Sequence, residues 1–184
     1  MKPSIISLNG KTPRIHESAF IAPNAVIAGD IEIGPHVSVW YGTVLRSEYV
    51  PVKIGAKTSL QDNVVLHTNP FMSRDAIIIG EEVSVGHGAI LHHCRVGNRA
   101  LVGMGSIVLD GSELGEESVV AAGSLVSMNT KVPPRSMIVG NPAKIRGEVN
   151  PEQLARFARG MRWYVSMKEL HRDPCTRIEL DINM

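Results

Sequence analysis

The sequence predicts an all-β chain folded as a parallel β-helix, followed by one α-helix. Three observations predict it: a branched aliphatic returns every six residues, a small residue often follows it, and aromatics are scarce. Stepping by six from Ile21 gives Ile27, Ile33, Val39 and Leu45. After three extra residues the step resumes at Ile54, Leu60 and Leu66, and seven more lead to Ile79, Val85 and Leu91. One residue fewer reaches Val96, from which Val102, Val108, Leu114, Val120, Val126, Val132 and Ile138 follow without adjustment. Gly34, Gly55, Gly80, Gly86, Gly97, Gly103 and Gly115 stand directly after inward positions, where glycine suits a corner or a close backbone approach. Each coil of such a solenoid buries its aliphatics only by stacking on its neighbours. A β-sandwich would instead show alternating runs separated by turns of varied length.

Aromatics make up 4% of the chain, so the interior must be aliphatic, which suits a narrow repetitive core. Basic and acidic residues number 19 and 18, a net charge of +1, and nothing announces a nucleic-acid or anionic-membrane partner. Ile5-Ile6 is too short for a signal-peptide core, and no stretch approaches a membrane span. Cys94 and Cys175 make no disulfide framework, and a cytoplasmic setting is expected; redox control through either is left open. Residues 1–20 read as a lead-in, 21–146 as the β-helix and 147–184 as a helix and tail. Asn150-Pro151-Glu152-Gln153 reads as a helix start, and Leu154, Phe157, Ala158, Met161 and Val165 recur at helical spacing. One helix is predicted, roughly Pro151 to Leu170, with its apolar face along the solenoid.

The repeat resembles the hexapeptide-repeat proteins, a resemblance that implies a left-handed coil of three faces and eighteen residues. Positions three steps apart then lie one above another, and Arg46, His67 and His92 form one column. His67 and His92 are neighbours on adjacent coils, about 4.8 Å apart at the backbone. Two imidazoles so placed can reach one metal with Zn–N bonds of about 2.0–2.1 Å. His87 lies on the next face with Asp62 below it, pointing around a corner from that pair. A second copy packed about a threefold axis would bring its His87 to the pair, which predicts a homotrimer with metal sites between subunits. Three nitrogen ligands leave a fourth position for water, the catalytic zinc pattern, and Fe2+ or Co2+ suits the same ligands. Isolated corner histidines are usually surface or interface residues, the reading given to His16, His36 and His171. His93 should point opposite to His92 and is expected to be exposed. Cys94, Trp40 and Trp163 read as packing residues.

Val39-Trp40-Tyr41-Gly42 to Leu45-Arg46, Leu60-Gln61-Asp62-Asn63, Val65-Leu66-His67-Thr68 and Val85-Gly86-His87-Gly88-Ala89-Ile90-Leu91-His92 together resemble the gamma-class carbonic anhydrases. The resemblance runs from Asn9 to about Tyr164. It implies reversible hydration of carbon dioxide to bicarbonate, with His67 and His92 from one subunit and His87 from the next as zinc ligands. Arg46 would support the interface through a carboxylate partner. Gln61, beside Asp62, would place water or substrate, and Tyr164 would lie nearby. Arg46-Ser47-Glu48 departs from the family's Arg-Gly-Asp, and the longer Glu48 side chain puts that arginine pairing in question. The family's acidic proton-transfer loop is absent, Ser59 and His93 also depart from its pattern, and Glu48 or His93 is left as the relay. Weak hydratase activity is therefore expected. A metal-bearing scaffold without activity, and acyl transfer from coenzyme A, are the competing readings.

Overall fold

The computed structural model describes residues 2–72 and 75–172; Cys175 and the rest of the predicted tail lie outside them. Short strands stack in parallel into two sheets, one of 12 strands and one of 8. The larger carries two of the three columns of inward aliphatics, because the strands Val26–Ile33 and Val44–Ile54 run through a corner unbroken. The register is the one the six-residue step dictates. Ile27 pairs with Leu45, Leu45 with Leu66 and Leu66 with Leu91; on the smaller sheet Val39 pairs with Leu60 and Leu60 with Val85. Every residue of the inward series is buried except the half-buried Ile21. Each contributes roughly 1.5–3 kcal/mol by leaving water.

Glycine serves two separate needs here. Gly115, directly after an inward residue, has an ordinary backbone, but a Cβ there would lie 2.4 Å from the Pro134 nitrogen of the next coil. The left-handed corners come two residues later, at Gly42 (φ 69°) and equally at Lys57, Asn63, Glu82 and Arg99. Glycine follows the inward residue to let coils approach, and the true corners are often polar side chains.

The irregular spacings have structural counterparts. The three extra residues after Leu45 are absorbed within Val44–Ile54, opposite a register shift between Gly29 and Ile31. Gly29 has φ 90°, and a Cβ there would fall 1.7 Å from the Ser47 carbonyl oxygen. The seven extra residues fall between Leu66 and Ile79, a stretch whose described part carries Asn69 and the nearly fully exposed Phe71 outside any strand. The single deletion moves the next corner forward to His93, which has φ 43°.

Regular pairing begins before Ile21. Arg14–Ile15 continues the six-residue step back from Ile21, Ile15 pairing with Ile33, while Ser4–Ile6 adds to Val26–Ile33 off that step, Ile5 pairing with Ile27. At the other end Ser136–Gly140 folds back antiparallel onto Ala143–Glu148. Asn150 then caps the helix: its Oδ1 accepts from the Gln153 amide at 2.9 Å, and its own amide donates to Gln153 Oε1 at 2.9 Å. The helix Pro151–Arg172 runs back to the first coil, where Lys168 Nζ donates to the Ser18 carbonyl at 3.1 Å. Among the described residues no helix is long and apolar enough to cross a membrane.

Trp40 is buried, donates to Ser38 and Ser59 hydroxyls, and meets Tyr164 edge-on at 5.5 Å. Trp163 corrects its expected packing role: it is 54% exposed, its ring edge-on to that of Tyr164. Its place on the helix turns it outward, so hydrophobicity alone misassigned it. His171 belongs to the packing, its ring 4.9 Å from Trp40 and its Nδ1 2.9 Å from the Tyr41 hydroxyl.

Candidate metal centre

Arg46, His67 and His92 stand in one column, paired strand to strand as the step of six requires. Parallel pairing turns all three side chains to the same side of the sheet, outward from the core. His67 Nδ1 and His92 Nε2 face each other at 3.2 Å. Two nitrogens bonded to one tetrahedral zinc at about 2.0–2.1 Å stand roughly 3.3–3.4 Å apart. The pair is therefore spaced as two ligands of one metal.

A carboxylate lies behind each of the three histidines. Glu48 Oε2 is 3.3 Å from His67 Nε2, Asp62 Oδ2 is 2.8 Å from His87 Nδ1, and Asp110 Oδ2 is 2.8 Å from His92 Nδ1. Such partners orient an imidazole and raise its basicity toward a metal. Glu48 also pairs with Arg46, so the longer side chain keeps the arginine pairing within one chain. Tyr164, from the helix, places its hydroxyl 3.2 Å from His87 Nε2. Burial, and then the Asp62 charge, push the Tyr164 phenol up, so it stays protonated and donates.

Gln61 is buried and donates to Ser84 Oγ at 3.3 Å. With His87, Tyr164, Met104 and Phe157 it lines a largely apolar groove of about 510 Å³ between helix and solenoid. Among the described residues, one chain brings no three His, Cys, Asp or Glu side chains together around a common metal position. His67 and His92 converge; His87 does not join them within the chain.

His93 corrects the expected exposure. It is 4% exposed, its Nδ1 accepting from the Asn69 amide at 3.0 Å, because the deleted residue puts it in a corner and not on a strand. As an exposed proton relay it is unsuited. Cys94 is buried, and burial pushes its thiol up to about 12, which leaves little thiolate at neutral pH. The residues that sequence reasoning missed are Asp110 and Asn69. Asp110 stands two residues after the inward Val108, which pairs with Leu91, so the step of six stacks it over His93, and its reach to His92 carries no signal in the sequence.

Burial, and then Arg46, hold His67 below the usual imidazole range; burial does the same to His93 against the pull of Asp110. The unfolded chain therefore takes up protons first as the pH falls below about 6.5, and stability is lost from there down toward the depressed folded values. Urea unfolding should show a lower midpoint at pH 5.5 than at 7.5. His93→Asn keeps an acceptor for Asn69 and tolerates the left-handed backbone, so it should flatten part of that dependence. An equally steep dependence in that variant would remove His93 from the account.

Residues 12–47 match the bacterial transferase hexapeptide (six repeats) family. A carbonic anhydrase of Geobacillus kaustophilus is 41% identical over 168 residues, covering 91% of each chain. Gamma carbonic anhydrase 2, mitochondrial, of Arabidopsis thaliana is 36% identical over 91% of this chain; the chain spans 62% of that plant protein's length. A Bacillus cereus crystal structure described as a candidate acetyltransferase superposes with a TM-score of 0.89 at 38% identity, covering 94% of this chain and 98% of that one.

Proposed function

The chain belongs to the gamma-carbonic-anhydrase-like hexapeptide-repeat family, and from that premise we propose that it hydrates carbon dioxide reversibly to bicarbonate at metal sites shared between the subunits of a homotrimer. The observation that carries the reading is the His67–His92 pair, two imidazole nitrogens 3.2 Å apart with carboxylates behind both rings. His67, His92 and His87 of a second copy would hold zinc, with Fe2+ or Co2+ fitting the same donors. A metal so held would lower the pKa of a water to about 7 and so supply a nucleophile at neutral pH.

The protein's own groups do the rest. Asp62 holds the His87 ring at Nδ1, fixing how it meets the neighbouring subunit, and Tyr164 would release Nε2 to the metal and turn its hydroxyl toward water or substrate. Gln61, anchored to Ser84, orients water or substrate at the head of the groove. Largely apolar walls suit an uncharged, non-polar substrate such as carbon dioxide. Glu48 bridges His67 and Arg46 with part of its carboxylate in solvent, and it would carry protons out to buffer. A cytoplasmic setting belongs to this proposal.

The test is stopped-flow carbon dioxide hydration on zinc-loaded protein in an imidazole-type buffer. We expect metal-dependent turnover that His92→Ala reduces to the buffer background. One bound metal per chain without turnover would leave a metal-bearing scaffold. The description of the Bacillus cereus neighbour favours a second reading, acyl transfer, in which a carboxylate-backed histidine acts as base. Consumption of acetyl-coenzyme A by metal-free protein would select that reading.

A further inference from the structure

We propose that Asp110, held by Asn69, is a positioning residue that locks His92 in its Nδ1–H tautomer and so turns the Nε2 lone pair toward His67. The consequence for metal binding rests on the function proposed above; the tautomer lock does not.

An ionised carboxylate can only accept, and both oxygens of Asp110 are engaged. Oδ2 lies 2.8 Å from His92 Nδ1, and Oδ1 accepts from Asn69 Nδ2 at 2.9 Å. His92 must therefore donate from Nδ1, which leaves Nε2 without a proton. The carboxylate has little room to turn away, because its side chain is 9% exposed. Its backbone is pinned from above, the Asp110 carbonyl accepting from the Asn129 amide at 2.8 Å. The next residue, Gly111, is a left-handed corner whose added Cβ would lie 2.3 Å from Asn129 Oδ1.

Asn69 is pinned as well. Its amide donates to His93 Nδ1 at 3.0 Å, and its Oδ1 accepts from the Phe71 amide at 3.0 Å. Its side-chain NH2 is therefore the end turned toward Asp110. The loop inserted after Leu66 thus reaches across to the coil above and sets the polarity of the group behind His92. Both bonds converge on the carboxylate: Asn69 donates to Asp110 from one side and His92 from the other.

That polarity makes a discriminating set of variants. Asp110→Asn is isosteric but has one oxygen for two donors. With the oxygen on Asn69, the new NH2 faces His92 Nδ1, which must become the acceptor; the proton then moves to Nε2. The double swap Asn69→Asp with Asp110→Asn reverses the first bond and returns an oxygen to His92.

Long-range 15N–1H correlation spectra of 15N-histidine-labelled, metal-free protein read the tautomer directly. The parent should show His92 as Nδ1–H, Asp110→Asn as Nε2–H, and the double swap as Nδ1–H again. Zinc affinity, measured by chelator competition, should fall about 10–100-fold in Asp110→Asn and return toward the parent in the swap. A merely structural role for Asp110 would not predict rescue by reversed polarity. His92 as Nε2–H in the parent, or an unchanged tautomer in Asp110→Asn, would overturn the lock. Should the parent show the Nδ1–H tautomer but bind no zinc, the metal function falls and the lock stands.

Discussion

Chains carrying His87→Ala and chains carrying His92→Ala should each hydrate carbon dioxide no faster than buffer, yet regain activity when refolded together. The His87→Ala chain keeps the His67–His92 pair, spaced at 3.2 Å on adjacent coils. The His92→Ala chain keeps His87, braced by Asp62 and Tyr164. Within one chain these groups do not converge, so only an interface with the first chain's pair facing the second chain's His87 is complete. Random mixing of equal amounts into closed threefold rings makes about one interface in four complete, so about a quarter of the parent activity should return. Cobalt absorption would follow the same fraction without reference to turnover. Activity in His87→Ala alone would remove His87 from the site, and no recovery in a mixture shown to form mixed trimers would remove the shared site.

Gly29→Ala should be the most damaging small substitution in the solenoid. The new methyl would fall 1.7 Å from the Ser47 carbonyl oxygen, a backbone atom of the neighbouring strand. The φ of 90° adds strain for any L side chain. The strand cannot yield cheaply, because Ser47 is fully buried and its hydroxyl lies 3.1 Å from that of Thr68. A loss of about 3–5 kcal/mol is expected, in the range kept for backbone clashes and core disruption. For a chain of this size that lowers Tm by about 10 °C. Because Arg46 and Glu48 flank Ser47, the same variant should bind zinc more weakly even where it remains folded. A Tm within a degree or two of the parent would mean that the register shift opposite Gly29 can relax freely.

The fold was legible because the inward aliphatic is a strict chemical demand repeated at a fixed interval. Once the three spacing changes are allowed for, every strand pairing in the columns follows from arithmetic, and with it the stacking of His67 under His92. The Asp62–His87 contact was legible for the same reason. Legibility failed where chain length departs from the period. The deletion before Val96 converts His93 from a strand residue into a buried corner, and alternation along a strand could not foresee that. The loop that delivers Asn69 to Asp110 has no periodicity to read. Glu48 was doubtful because a side-chain length was compared with a family pattern, whereas the extended strand Val44–Ile54 decides where its carboxylate reaches. Trp163 lies off the helical series Leu154, Phe157, Ala158, Met161 and Val165, all buried or half-buried, so hydrophobicity misled where spacing did not.

The antiparallel return of Ala143–Glu148 onto Ser136–Gly140 has a consequence for the length of the molecule. A repeat whose every coil templates the next has no internal reason to stop, and its last coil offers open backbone to any strand that arrives. By reversing direction, the chain puts its own strand on part of that template and fills hydrogen-bonding positions that a parallel newcomer would need. Asn150 then starts a helix that leads the chain back down the side. The hairpin thus works as a terminator: it fixes the number of coils and helps keep one solenoid from seeding growth end to end with another.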